Sequence, residues 1–156
     1  MKNNVRNRKG FTLTEMIVVL VIIVILIALL VPTLIGYIDK AKYKSVMAEG
    51  KMVLTATQTI VSEDYGEGNP VGSSETPATP GNLILTINAS DTTGLSGEIA
   101  TLAEMKAGTQ AQVKIVDNKV QKIIFHDADK AAIYDLTSTT DKWTTGKAAD
   151  DDFKFE

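Results

Sequence analysis

The sequence predicts an α+β fold, in which one long N-terminal helix packs on a C-terminal antiparallel sheet of three to four strands. Three observations lead to this prediction. The first is an uncharged apolar run from Met16 to Ile38. The second is the three- and four-residue spacing of apolar residues in the stretch that follows it. The third is a set of short alternating segments near the C-terminus, two of which flank the turn pair Asp117-Asn118.

The apolar run is long enough to cross a membrane. As a helix, its 23 residues span about 35 Å, which exceeds the roughly 30 Å of a bilayer's hydrocarbon core. A cleaved secretory signal has a shorter apolar region, and a helix that is apolar on every face must be surrounded by lipid or protein. Residues 1–10 contain four basic residues and no acid: Lys2, Arg6, Arg8 and Lys9. We therefore expect a membrane segment over residues 11–38, with its N-terminus in the cytoplasm.

The same helix is expected to continue beyond the apolar run with one buried face. Residues 39–62 are amphipathic, because apolar side chains recur at helical spacing and most charged side chains lie away from them. We predict one helix from about Thr12 to Ser62. Its first half would lie in lipid and its second half would cover the sheet.

Residues 63–156 form the predicted exported region. Its first part, Glu63 to Asn82, is rich in Gly, Pro, Ser and Thr and is expected to be a surface loop. A short strand (Leu83–Ile87) and a helix (Ser96–Lys106, with Gly108 as its stop) are predicted to follow the loop. After them we predict a hairpin (Ala111–Val116 and Lys119–His126) and a third antiparallel strand (Ala131–Leu136). Residues Lys142–Thr145 are a candidate fourth strand.

The C-terminal residues have two possible arrangements. Because the chain has no cysteine, no disulfide can tie them to the sheet. Either Trp143, Phe153 and Phe155 act as hydrophobic anchors, or residues 146–156 fray.

The composition argues against several other functions. Beyond the basic N-terminus the acidic residues outnumber the basic ones, which argues against nucleic-acid binding. His126 is the only histidine, and we expect it to lie on the surface at a strand end, because no nucleophile motif or phosphate-binding loop accompanies it. We therefore expect neither enzyme activity nor a cofactor. Asp150, Asp151 and Asp152 lack the ordered spacing of a calcium loop, so no metal site is expected.

The residues at the start of the apolar run carry the most specific pattern. They read Lys9-Gly10-Phe11-Thr12-Leu13-Thr14-Glu15: a short basic leader ends in glycine, Phe-Thr-Leu follows, and a glutamate stands four residues beyond the phenylalanine. This pattern closely resembles the class III signal of type IV prepilins and pseudopilins. The resemblance implies a leader of residues 1–10, which a prepilin peptidase removes after Gly10, and methylation of the new amino terminus on Phe11.

Glu15 has two interpretations. In the structural one, Thr12 and Glu15 form a helix capping box, and an acid in the first turn complements the helix dipole. The resemblance adds a role in assembly, because a lone carboxylate among bundled apolar helices is costly unless it has a cationic partner. We hypothesise that the amine freed on Phe11 of an incoming subunit pairs with Glu15 of a neighbour.

Pro32 lies inside the predicted helix, where it removes one backbone hydrogen bond and is expected to cause a kink. The resemblance implies a role for Pro32 in assembly, since pilin helices often melt between a mid-segment glycine and this proline when packed in filaments. Val24 stands where many relatives have that glycine. We therefore expect a distortion of about one turn before Pro32.

Taken with the predicted fold, the resemblance implies a structural subunit of a type IV pilus, most simply the major pilin. The alternatives are a pseudopilin of a type II secretion or competence DNA-uptake system, a minor tip pilin, and a bitopic membrane protein that never polymerises. The implied partners are further copies of the chain, the prepilin peptidase, the inner-membrane pilus assembly platform and, before assembly, membrane lipid. The implied location is the cell membrane for the precursor and an extracellular pilus after assembly.

Overall fold

The computed structural model describes residues 10–73 and 80–155. The chain divides into two compact units, of which the first ends at Asp39 and the second begins at Lys40. Of the predicted leader peptide, only Gly10 is among the described residues, and residues 1–9 lie outside them.

A single helix, α1, extends from Leu13 to Gly66. It begins one residue after the predicted start at Thr12 and ends four residues after the predicted end at Ser62. The end is later because the residues that follow Ser62 include no helix breaker before Gly66. The predicted surface loop is correspondingly shorter on its N-terminal side.

Pro32 lies inside α1, and the helix continues through it. A proline removes one backbone hydrogen bond and crowds the preceding turn, yet the residues on both sides of Pro32 remain helical. In the isolated chain, α1 is therefore not interrupted at the place where the resemblance implies melting in filaments.

In the second unit, α1 presents one face to the sheet. The buried residues of this part recur at the predicted helical spacing: Val46, Gly50, Val53, Ala56, Thr57, Ile60 and Val61. Gly50 allows a close approach, because a Cβ there would lie 3.0 Å from the ring of Trp143 and 3.4 Å from the Cβ of Phe125. The buried Thr57 hydroxyl donates to the Val53 carbonyl at 2.7 Å, so its burial leaves no unpaired donor.

The sheet has five antiparallel strands, arranged in the order in which they occur in the chain. The strands are β1 (Leu83–Asn88), β2 (Gln110–Val116), β3 (Lys119–Asp127), β4 (Lys130–Asp135) and β5 (Trp143–Lys147). The helix α2 (Gly94–Leu102) connects β1 to β2. The sheet thus has slightly more strands than the predicted three to four, because β1 pairs with β2 along its whole length.

The second helix differs from its prediction at both ends. The apolar spacing predicts a helix over Ser96–Lys106, whereas α2 occupies Gly94–Leu102. Glu104 has a positive φ of 49°, a conformation that ends a helix, so α2 stops well before Gly108. Met105 nevertheless packs against the core from the turn that follows. The apolar spacing therefore continues beyond the end of the helix.

The predicted turn between β2 and β3 is confirmed. Asp117 and Asn118 have φ values of 51° and 58°, and a type I′ hairpin turn requires positive φ at both central residues. The Asn118 N–H also donates to the carbonyl of Gly81 at 2.8 Å. The turn is therefore joined to the segment that leads into β1.

The face of the sheet opposite α1 carries a second, smaller apolar cluster. Ile124, Ala131 and Phe153 are buried but lie outside the main core cluster. Phe153 packs closely on Gly146 in β5, since a Cβ at Gly146 would lie 2.5 Å from the Phe153 ring. His126 Nε2 donates to the carbonyl oxygen of Phe153 at 2.6 Å. This cluster thus covers part of the face opposite α1.

Residues 151–155, which we call the C-terminal strap, are held by this second cluster. Besides the hydrogen bond to Phe153, the His126 ring stacks on Phe155 with 4.3 Å between centroids and 12° between planes. These contacts agree with the predicted anchoring role of Phe153 and Phe155. Trp143 instead contacts Gly50 of α1 and the Tyr134 ring, so it stabilises the helix–sheet interface rather than the strap.

Candidate processing and assembly site

The predicted cleavage site lies just before α1. Gly10 and Phe11 are both outside the helix and exposed, and the Phe11 side chain is 81% exposed. A Cβ at Gly10 would meet no atom within 4 Å. Exposed, non-helical backbone of this kind is accessible to a protease.

Thr12 and Glu15 form a reciprocal capping box at the start of α1. The Thr12 N–H and the Thr12 hydroxyl both donate to Glu15 Oε2 at 2.8 Å. The Glu15 N–H in turn donates to the Thr12 hydroxyl oxygen at 3.2 Å. Such a box satisfies N–H groups that have no partner within the helix. The structural interpretation of Glu15 is therefore confirmed.

The capping box uses only one of the two carboxylate oxygens of Glu15. Within residues 10–73 and 80–155, Oε2 accepts both hydrogen bonds and Oε1 accepts none. Both Thr12 and Glu15 are exposed. One oxygen is therefore fixed by the helix start, while the other is accessible to a group from outside the chain.

The remainder of the first unit is an apolar surface. Each large apolar side chain from Met16 to Ile38 is between 43% and 69% exposed. By length and composition α1 can span a membrane, and its most apolar window is 0% buried. Burying one large aliphatic side chain is worth roughly 1.5–3 kcal/mol. This surface therefore requires lipid or other helices around it.

Three other residues considered in the sequence as candidate site residues have local structural roles. His126 is half-buried and binds the C-terminal strap, so it is not the free surface histidine that the sequence suggested. Asp150 Oδ2 accepts from the Lys147 N–H at 3.2 Å, and Asp151 pairs with Lys154. Among the described residues, no group of three or more His, Cys, Asp or Glu side chains is arranged to hold a metal ion.

The comparison with protein families identifies the N-terminal segment. A family model described as the prokaryotic N-terminal methylation motif matches residues 5–31. This motif is the class III signal peptide of type IV pilins. No curated protein and no solved structure matches the chain.

The motif and the fold agree on one class of protein. A long N-terminal apolar helix continues into a half that packs on an antiparallel sheet, and the methylation motif lies at its start. The motif therefore supports a type IV pilin-like or pseudopilin precursor. The motif implies processing by a prepilin peptidase and polymerisation into a filament, and the single apolar helix is consistent with a single-pass membrane precursor.

Proposed function

We propose that the chain is the major pilin of a type IV pilus, a structural subunit without a catalytic role. The observation that carries the proposal is the exposed apolar half of α1, which directly follows the class III signal. Bundling of many copies of this helix would bury an apolar surface that the chain itself leaves uncovered. The second unit has its own buried core, so it does not depend on the filament in order to fold.

Processing is proposed to occur between Gly10 and Phe11. The exposure of both residues supports this assignment, as does their position before the first helical turn. Cleavage would leave Phe11 as the amino terminus, and methylation would keep its amine basic. The products are a leader of residues 1–10 and a mature chain that begins two residues before α1.

Glu15 is proposed to receive the Phe11 amine of a neighbouring subunit. In support, Glu15 Oε1 is free of protein partners among the described residues, while Thr12 fixes Oε2. The amine exists only after cleavage, so an unprocessed chain cannot form the pair. Removing one member of a buried ion pair costs about 3–5 kcal/mol, which is large enough to decide whether a subunit joins the filament.

The precursor is proposed to insert with its basic leader in the cytoplasm and residues 40–156 outside. The positive-inside rule supports this orientation, because all four charges of the leader are basic. Lipid would cover the apolar half of α1 before assembly. The inner-membrane assembly platform would then transfer the processed chain into an extracellular homopolymer.

The processing proposal is tested by intact-mass and N-terminal analysis of protein sheared from cells. We expect a chain that begins at Phe11 and carries one methyl group on its amine. Material that begins at Met1, or that lacks the apolar helix, would contradict the proposal.

The assembly proposal is tested with three variants that separate charge from helix capping. Glu15→Ala removes both, Glu15→Gln keeps a capping side chain without charge, and Thr12→Ala keeps the charge but removes the hydroxyl of the cap. We expect Glu15→Ala and Glu15→Gln to abolish filaments and Thr12→Ala to retain them, with normal cleavage in all three. Wild-type filament yield from Glu15→Gln would show that capping alone is needed.

The methylation motif is shared with pseudopilins, so filament composition decides between the two functions. We expect long periodic filaments, with this chain as their bulk component, when its gene alone is restored to cells that lack it. Filaments built mainly from another subunit would instead favour a pseudopilin of a secretion or DNA-uptake system, or a minor tip pilin.

A further inference from the structure

Three exposed lysines follow the apolar run of α1 within six residues. They are Lys40, Lys42 and Lys44, and Asp39 is the single acid between Ile38 and Lys44. The positive-inside rule places an excess of lysine on the cytoplasmic side of a membrane segment. In the proposed orientation these lysines lie on the opposite side, so membrane insertion does not account for them.

Lys40 and Lys44 lie on the same side of α1, one turn apart, because residues four positions apart are neighbours on a helix surface. Like charges at this spacing repel each other and destabilise the helix. None of the positions three or four residues before or after either lysine holds an acid. Within the part of the chain that the structure describes, neither lysine forms an ion pair that would offset the repulsion.

Lys42 lies on a different side of α1 and has acids nearby. It is two positions from each of the other two lysines, and residues at this spacing do not face each other. Asp39 precedes it by three positions, a spacing at which opposite charges attract each other. The hydrogen bond from Lys130 lowers the pKa of Asp129, and the positive charge of Lys42 acts in the same direction. The environment of Lys42 therefore already contains negative charge.

Lys40 and Lys44 are close enough to the membrane segment to reach lipid headgroups. They follow Ile38, the last residue of the apolar run, by two and six positions. At about 1.5 Å per residue these positions are roughly 3 and 9 Å further along a helix, and the headgroup layer on each side of a bilayer is about 5–8 Å thick. Side chains of a helix lean toward its N-terminus, which is here the direction of the membrane. Both ammonium groups can therefore reach the lipid phosphates.

We propose that Lys40 and Lys44 together bind the phosphate of one anionic phospholipid while the chain is in the membrane. The phosphate supplies the negative charge that the chain does not place between these two lysines. Beyond residue 10 the acidic residues outnumber the basic ones, so an anionic membrane surface repels most of the exported region. The two lysines attach this region to the surface at one defined position. The proposal rests on the membrane stage of the proposed function and not on the filament.

The test uses the full chain in mixed micelles of a nonionic detergent with either phosphatidylglycerol or phosphatidylcholine of the same acyl chains. Native mass spectrometry measures how much of each lipid stays bound. We expect the wild-type chain to retain phosphatidylglycerol in preference to phosphatidylcholine, because only the former has a net negative charge. The basic residues of the leader are present in every variant, so their own attraction for anionic lipid cancels when variants are compared.

Single charge removals separate the proposed site from a general attraction between lysine and lipid. Lys40→Gln and Lys44→Gln are each expected to lower the preference for phosphatidylglycerol about fivefold, and the double variant should lower it further. Lys42→Gln removes the same charge at the same distance from the apolar run and should leave the preference unchanged. Lys119→Gln, at the exposed β2–β3 turn, is a second control with the same expectation. Replacement of both Lys40 and Lys44 by arginine keeps the two charges and should retain the preference.

Three results would overturn the proposal. They are equal retention of the two lipids by the wild type, an effect of Lys42→Gln as large as that of Lys40→Gln, and an unchanged lipid preference in the double variant. An unchanged preference combined with a loss of filaments in cells would assign the two lysines to a contact between subunits instead. Because lipid binding is measured on the unassembled chain, its failure would leave the filament proposal intact, and a wild type without filaments would leave the lipid result intact.

Discussion

In the first unit, the apolar side chains of α1 from Met16 to Ile38 are exposed, whereas in the second unit the apolar face of the same helix is buried against a sheet. The first part of α1 is apolar on every face and the second part on one face only. The difference shows that hydrophobicity alone does not locate a folded core. The apolar residues of the first unit are left for lipid or other helices to cover. The apolar residues of the second unit pack against one another and stabilise its fold.

The strongest test of this comparison is the removal of one large side chain from each unit. Phe125→Ala empties a fully buried position in the core and is expected to destabilise the second unit by about 3–5 kcal/mol. Leu20→Ala removes an exposed side chain, and its effect on the same unit should stay within about 0.5 kcal/mol. Guanidinium unfolding of the full chain in detergent, followed by the fluorescence of Trp143, measures both. Equal effects of the two variants would contradict the comparison.

A glycine substitution in each unit gives a second, smaller contrast. Gly146→Ala places a Cβ 2.5 Å from the Phe153 ring and should displace the C-terminal strap at a cost of about 1–3 kcal/mol. Gly36→Ala lies in the exposed helix with no atom within 4 Å and should leave the second unit unchanged. Hydrogen exchange of residues 151–155 reports the release. An unchanged exchange rate in Gly146→Ala would show that the strap does not depend on this contact.

A third prediction concerns the stability of the second unit at alkaline pH, which depends on the ion pair between Lys106 and Glu49. The hydrogen bond and the negative charge of Glu49 raise the pKa of Lys106 above its usual value. Its stabilising contribution is therefore complete below the pKa of an unfolded lysine, about 10.4, and is lost as the pH rises through the folded value. We expect Lys106→Met to flatten the fall of the unfolding midpoint at alkaline pH. The free energy involved should be smaller than the cost of Gly146→Ala. Lys44→Met, at an exposed helix position, is the control and should leave the slope unchanged.

The smallest expected effect is on the unfolding of the second unit at acidic pH, to which Asp135 contributes. Hydrogen bonds from the hydroxyl and the N–H of Thr137 lower the pKa of Asp135 below its ordinary 3.8. Its contribution is present above that value and is lost as the pH falls through the lowered one. Asp135→Asn should remove this part of the acid unfolding curve, and Asp141→Asn, at an exposed position, should not. Identical acid curves for wild type and Asp135→Asn would rule the contribution out.

Features set by neighbouring residues could be predicted from the sequence. The capping box of Thr12 and Glu15 depends on a spacing of three residues, and the β2–β3 turn depends on the tolerance of Asp117 and Asn118 for positive φ. The uncovered apolar run is likewise visible as an unbroken stretch of aliphatic residues. These local properties are also the ones on which the proposed processing and assembly site rests.

Features that depend on distant contacts could not be predicted in the same way. The short apolar run of β1 gives no sign that its partner is β2, because α2 separates the two strands in the chain. The contact of His126 with Phe153 and Phe155 joins residues that lie far apart in sequence.

In the proposed orientation the N-terminus stays in the cytoplasm and residues 40–156 cross the membrane in chain order, so the order of the strands would also have a kinetic consequence. Each strand pairs with the strand that precedes or follows it in the chain, so the contacts are short in sequence and favour rapid folding. The part of α1 that covers the sheet emerges before any strand. Each hairpin can therefore dock on an existing helix as soon as it is translocated, without waiting for the C-terminus.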